Sequence, residues 1–160
     1  MQKRKTIYLA SPLGFSPELS GYLEKVKAKL ASLSFDIFDP WAQEQFAEKI
    51  DQALAIADYG KRIAALQQVA GEIGRCNAEG IRGADIVLAV LDGAEVDSGT
   101  ASEIGFGCGL GKTCYGLRTD RRDSGDFAGI PINLQVLHFI ECTGGRLFRS
   151  IDDIDIPAVP

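Results

Sequence analysis

Hydrophobic positions in this chain switch repeatedly between the period of a strand and that of a helix. Residues 5–10 form a short, β-rich run closed by Ser11-Pro12, which predicts a buried first strand. From Pro17 onward Leu19, Tyr22, Leu23, Val26, Leu30 and Leu33 recur at helical spacing. Residues 35–38 read as a second strand, ended by Asp39-Pro40-Trp41. An amphipathic, helix-prone stretch over 42–57 stops at Asp58-Tyr59-Gly60. A longer helix over 61–82 follows, turning Ile63, Leu66, Val69, Ile73 and Cys76 inward. Residues 85–91 are the clearest strand, with the continuous apolar run of a central parallel strand covered on both faces. A small-residue helix over 98–111, a strand over 113–117, a polar surface loop over 118–129, a helix over 132–142 and a strand over 146–149 complete the pattern.

Strands alternating with helices predict an α/β fold. The expected form is a doubly wound, flavodoxin-like parallel sheet of about five strands with helices on both faces. No repeat, linker or second unit interrupts the pattern, so residues 1–160 read as one domain. Ligands of such sheets bind beyond the carboxyl ends of the strands. That rule selects four loops, at residues 11–15, 39–43, 91–100 and 118–129.

Composition narrows the function classes. The chain has 160 residues, of which 46% are hydrophobic, enough for a real core, and its net charge of −5 argues against a nucleic-acid partner. The one basic cluster, Lys3-Arg4-Lys5, precedes an apolar run too short for a signal peptide. No stretch approaches the roughly 20 apolar residues that span a bilayer, so no membrane partner is expected. Cys76, Cys108, Cys114 and Cys142 form no C-x-x-C pair and read as reduced thiols of a cytoplasmic protein, three of them in apolar surroundings. His138 is the single histidine and lies in an apolar run, a poor setting for a Ser-His-Asp triad. One histidine and scattered cysteines make no zinc site, and neither metal nor cofactor is expected.

The glycine-rich segment at 105–113 invites a phosphate-loop reading and fails it. A Walker A frame ending Gly111-Lys112-Thr113 needs glycine where Phe106 stands, and the segment leads from helix to strand, the inverse of the required context. Its small residues instead suit a helix lying close on the sheet, ended by Gly111. The segment Asp97-Ser98-Gly99-Thr100-Ala101-Ser102-Glu103 differs, because it follows the central strand and opens a helix at the ligand edge. Two readings of Glu103 stand open. Thr100 and Glu103 have the spacing of a capping box. Equally, a carboxylate in the positive field of a helix start is favoured as the anion, and facing a dry pocket it can attack a sugar carbon or stabilise an oxocarbenium ion. Asn77 lies on the inward stripe of its helix, where an unpartnered amide costs about 1–3 kcal/mol, so it needs a hydrogen bond from a neighbouring loop or a polar ligand.

Together these residues resemble the nucleoside 2-deoxyribosyltransferase family. Tyr8-Leu-Ala-Ser-Pro-Leu13 is similar to its first motif. Ala84-Asp85-Ile-Val-Leu-Ala with Asp97-x-Gly-Thr-Ala-x-Glu103-Ile-Gly is similar to its catalytic block, and Ile132-Asn133-Leu134-Gln135 to a late motif. The resemblance runs from about residue 6 to 148. It implies that Glu103 attacks the anomeric carbon of a 2′-deoxynucleoside, expels the base and holds the deoxyribosyl group covalently until a second base takes it. Slow hydrolysis would be the side reaction. It also implies that Tyr8 orients Glu103, that Asp97 binds a sugar hydroxyl, and that Asn133, with Gln135 beside it, reaches the substrate of a neighbouring subunit. A homo-oligomer with shared active sites, acting on small nucleosides and nucleobases, is therefore expected. Asp39 and Trp41 are candidates for the base pocket, with Trp41 able to stack on a base. Asn77 stands where many members carry aspartate, and Ser11 where glycine is usual; asparagine can bind a base but not protonate it. Two alternatives use the same site: a deoxynucleoside 5′-monophosphate N-glycosidase, for which the first loop lacks an arginine, and a non-catalytic nucleotide-binding module.

Overall fold

The computed structural model describes residues 4–157, so Lys3 of the basic cluster lies outside the described residues. Its strands are β1 (Thr6–Ala10), β2 (Asp36–Phe38), β3 (Ile86–Val90), β4 (Thr113–Leu117) and β5 (Leu147–Phe148), all parallel, in the order β2-β1-β3-β4-β5. The helices are α1 (Ser20–Ser32), α2 (Glu44–Leu54), α3 (Tyr59–Gly83), α4 (Ser98–Gly109) and α5 (Leu134–Cys142). This is the doubly wound α/β architecture that the alternating periods predict.

The two-residue period of the strands divides the core. Ile7, Leu9, Ile86, Leu88 and Val90 point to one face, where Leu23, Val26 and Leu30 of α1 pack with Ile154 and Ile156 of the C-terminal segment. Tyr8, Ala10, Val87, Ala89 and Leu91 point to the other face, under Ile81 of α3, Ile104 of α4, and Val136 and Ile140 of α5. The packing of residues 151–156 was not legible as an element, since the segment has neither period.

Small residues set how closely α4 lies on the sheet. A Cβ on Gly107 would fall 2.7 Å from Val87 Cγ2, and Gly111, at φ +72, turns the chain out of the helix. Several sequence expectations need adjustment. Residues 17–19 form a 3-10 turn, so α1 begins at Ser20 rather than at Pro17. Ile63 is 37% exposed rather than inward. Cys114 is the one fully buried thiol, while Cys142 is exposed and Cys76 and Cys108 are intermediate.

The largest correction concerns Arg118, which opens the segment expected to be a surface loop yet is 0% exposed. Its Nη1 donates to the carbonyls of Leu91 (2.5 Å) and Gly93 (3.1 Å), and Nη2 to the carbonyl of Arg122 (2.9 Å) and Ser124 Oγ (3.1 Å). The guanidinium thus ties the loop after β3 to the loop after β4. Asp92 reinforces the joint, accepting from Tyr22 Oη and from the backbone N–H groups of Thr119 and Asp120. No helix of the described residues is long and apolar enough to cross a membrane.

Candidate active site

The strand order reverses between β1 and β3, and the loops leaving these two strands part there. This is the crevice where parallel α/β sheets bind ligands. A cleft of about 470 Å³ opens at that point, lined by Ser11 and Phe15 after β1, Pro40 and Trp41 after β2, Ile50 of α2, Ile73 and Asn77 of α3, and Asp97 to Thr100 with Glu103 at the start of α4.

Asp97 removes the capping-box reading of Glu103. It is the N-cap of α4, and its Oδ2 accepts from both Thr100 N (2.9 Å) and Thr100 Oγ1 (3.0 Å). Thr100 is therefore inside the helix rather than its cap, and no capping box forms. Glu103 is left one full turn beyond the positions a cap can reach. Its partner is Tyr8, whose hydroxyl donates to Glu103 Oε1 at 2.5 Å. Tyr8 is fully buried, and its ring stacks on Phe38 with centroids 5.4 Å apart. Phe38 fits because Gly80 of α3 has no side chain: a Cβ there would lie 2.6 Å from the ring.

Burial raises the Glu103 carboxyl above the usual carboxylate range. The Tyr8 hydrogen bond opposes the shift and the charge of Asp97 adds to it. The expectation that a helix start would favour the anion is thus corrected. That field fades within the first turn, Glu103 lies in the second, and desolvation outweighs it. Burial and the neighbouring carboxylate also hold the Tyr8 phenol well above the ordinary tyrosine range, so it remains a donor.

Trp41 stands at the mouth, 40% exposed, edge-on to Phe15 at 4.6 Å between centroids, with its indole N–H donating to the Ser11 carbonyl at 2.7 Å. Gly14 permits this placement, since a Cβ there would sit 2.0 Å from the indole. Asp39 does not line the cleft. It is buried behind it, where Oδ1 accepts from Trp41 N (3.0 Å) and Oδ2 meets Lys27 Nζ (3.1 Å), so it fixes the turn that carries Trp41. Asn77 faces the cleft, and its carboxamide has no hydrogen-bond partner among the described residues; the neighbouring-loop bond is not made.

Asn133 and Gln135 are not brought to Glu103. Asn133 is the N-cap of α5, its Oδ1 accepting from Gln135 N (3.0 Å) and Val136 N (3.2 Å). It lines a second cleft of about 480 Å³ with Glu95, Val96, Ala101, Ser124, Gly125, Asp126 and Val136. Gln135 is exposed and lines neither cleft. The sequence rule selected the loop at 11–15 without singling out Phe15, and it missed Ile50. The period of α2 did mark Phe46, Ile50 and Ala53 as one face, and that was the available signal. Among the described residues no cluster of three or more His, Cys, Asp or Glu is placed to hold a metal ion.

The sequence model of the family described as nucleoside 2-deoxyribosyltransferase matches residues 7–135. Among solved structures, a conserved protein of Enterococcus faecalis V583 is 26% identical, with 94% of each chain covered and a TM-score of 0.64. A 2-desoxiribosyltransferase of Leishmania mexicana is 25% identical, with 92% of each chain covered and a TM-score of 0.63. A CMP N-glycosidase of Clostridium botulinum shares the fold at 11% identity, covering 93% of this chain and 94% of its own, with a TM-score of 0.53. No curated protein matches the chain by sequence.

Proposed function

The chain belongs to the nucleoside 2-deoxyribosyltransferase family, and from that premise we propose that it moves the 2-deoxyribosyl group between nucleobases through an ester on Glu103. The observation that carries this reading is a carboxylate with one oxygen held by a buried phenol and the other uncommitted, set in the wall of a cleft with an aromatic mouth. The Tyr8 hydrogen bond fixes Oε1, which leaves Oε2 as the attacking atom on the anomeric carbon. Attack breaks the bond from C1′ to the base. A second base then attacks C1′ from the opposite face and releases Glu103, so configuration is retained over the two steps. Desolvation of the carboxylate makes it a better nucleophile once ionised, and Tyr8 offsets part of the cost of ionising it.

Asp97 has one oxygen free beyond its cap, and a sugar hydroxyl is the natural donor to it. Asn133 lies at the second cleft of its own chain, so for it to serve a sugar at Glu103 it must come from another copy. That arrangement suits a homo-oligomer with shared sites. The charge of the cleft favours a nucleoside over its 5′-monophosphate: its lining carries Asp97 and Glu103 and, among the described residues, no lysine or arginine. The likeness to the CMP N-glycosidase is one of fold.

Incubation with a 2′-deoxynucleoside and a different free base tests the proposal. The exchanged nucleoside should form, and the 5′-monophosphate should be a poorer donor. Absence of both exchange and hydrolysis, with Glu103→Ala protein indistinguishable, would overturn it. Efficient base release from the monophosphate alone would favour the glycosidase reading instead.

A further inference from the structure

We infer that the leaving base departs this cleft without a proton from the protein, as an anion held by the Asn77 carboxamide. The inference rests on the transfer reaction proposed above and concerns the part of it that Glu103 does not perform.

Breaking the bond from C1′ to a base nitrogen leaves the electron pair on the base. The pair is neutralised by a proton at the moment of departure, or it spreads through the ring and is protonated later by water. Which route operates depends on what acids line the site. The lining holds two titratable side chains among the described residues, Asp97 and Glu103. Glu103 is the nucleophile and must be ionised to attack. Asp97 Oδ2 is taken up as the helix cap, accepting from Thr100 twice. The Tyr8 proton is held on Glu103 Oε1. Asp39 lies behind Trp41 with its two oxygens engaged by Trp41 N and Lys27, and half-buried Cys76 is outside the lining.

Asn77 lines the same cleft as Glu103. It sits on α3 one turn beyond Ile73, in the cleft that Glu103 shares, with its amide unpartnered among the described residues. A carboxamide offers two N–H donors and no transferable proton. It can stabilise charge developing on a ring oxygen or nitrogen, but it cannot neutralise that charge with a proton. In the forward step the Glu103–C1′ bond forms as the C1′–N bond breaks, and the base leaves as its delocalised anion, later taking a proton from solvent. In the return step the acceptor base attacks as that anion, or loses its N–H proton to solvent as it attacks.

Substrate selection follows from this chemistry. Deoxynucleosides whose bases carry electron-withdrawing groups are the good donors, and acceptor bases become effective as pH rises toward their own ionisation.

The test is a series of 2′-deoxynucleosides of one ring type, graded by the N–H acidity of the free base. With the wild-type protein kcat/KM should fall by about three- to ten-fold for each unit rise in the base pKa. In Asn77→Asp, which supplies an acid at the same place, the dependence should flatten and the poorest donor should gain about 10²-fold. A flat dependence in the wild-type protein would overturn the inference while leaving transfer through Glu103 standing. So would an Asn77→Asp protein with the wild-type slope. Lack of exchange with every donor would instead remove the transfer reading, and this inference with it.

Discussion

The Tyr8 hydroxyl and the Glu103 carboxylate meet at 2.5 Å across 95 residues of sequence, joining β1 to the second turn of α4. The bond lowers the Glu103 pKa against a larger upward push from burial. Tyr8→Phe keeps the ring that stacks on Phe38 and removes the donor. Hydrogen bonds to charged groups contribute about 1.5–3 kcal/mol, so kcat/KM should fall by roughly 10- to 100-fold. The acid limb of the pH–rate profile should also move to higher pH, because Glu103 loses the interaction that favours its anion. An unmoved limb would mean that Tyr8 acts only as packing.

Glu103 should cost the fold stability at neutral pH. Its proton is held more tightly in the folded protein than in the unfolded chain. The stability it contributes is therefore fully present below the unfolded carboxyl pKa, about 4.3, and is lost as pH rises through the folded value. Glu103→Gln should abolish transfer and raise Tm near neutral pH by about 2–4 °C for each kcal/mol recovered, the gain shrinking as pH falls toward ~4. Thermal scans of both proteins across that range check it.

Asp97 has two duties that substitution separates. Asp97→Ala removes the cap of α4 and should cost about 0.5–2 kcal/mol of stability. Asp97→Asn keeps a good cap and removes a charge that raises the Glu103 pKa. Its Tm should stay close to wild type, and its acid limb should shift downward. Thermal denaturation and pH–rate profiles of the two variants distinguish the roles.

Trp41 is the sole tryptophan, which makes the mouth of the cleft directly observable. Gly14→Ala places a methyl group where the indole now lies, 2.0 Å from its nearest atom, and must displace it. Its intrinsic fluorescence should change, and KM for the donor nucleoside should rise by about ten-fold if one good stacking contact of roughly 1–1.5 kcal/mol is lost. Global stability should change little, since the tryptophan is part-exposed. An unchanged emission spectrum and KM would contradict the placement of Trp41 against Gly14.

The sheet was legible because its central strand β3 is a contiguous apolar run and the helices around it repeat at their own period. Glu103 was legible by position, after the central strand. Its capping alternative fell only once Asp97 was seen to satisfy both donors of Thr100, a fact of local geometry that spacing alone does not contain. Asn77 was legible as a polar residue on an apolar stripe. Asp39 was misplaced because a buried carboxylate that braces a turn carries the same sequence signal as one that binds a ligand. Arg118 was hidden for a related reason: an arginine beside Asp120, Arg121 and Arg122 reads as solvent-facing, and only the converging carbonyls of Leu91, Gly93 and Arg122 bury it. Asn133 and Gln135 matched a motif without reaching Glu103 in the same chain, since Asn133 caps α5 beside a different cleft.

The central claim is that Glu103 becomes covalently attached to the sugar. Rapid acid quenching of the protein with a 2′-deoxynucleoside alone, followed by peptide mass analysis, tests it most directly. One deoxyribosyl group should appear on the peptide that contains Glu103, formed with a stoichiometric burst of free base and absent from Glu103→Ala protein. Steady release of base with no labelled peptide, or base release that survives Glu103→Ala, would contradict it.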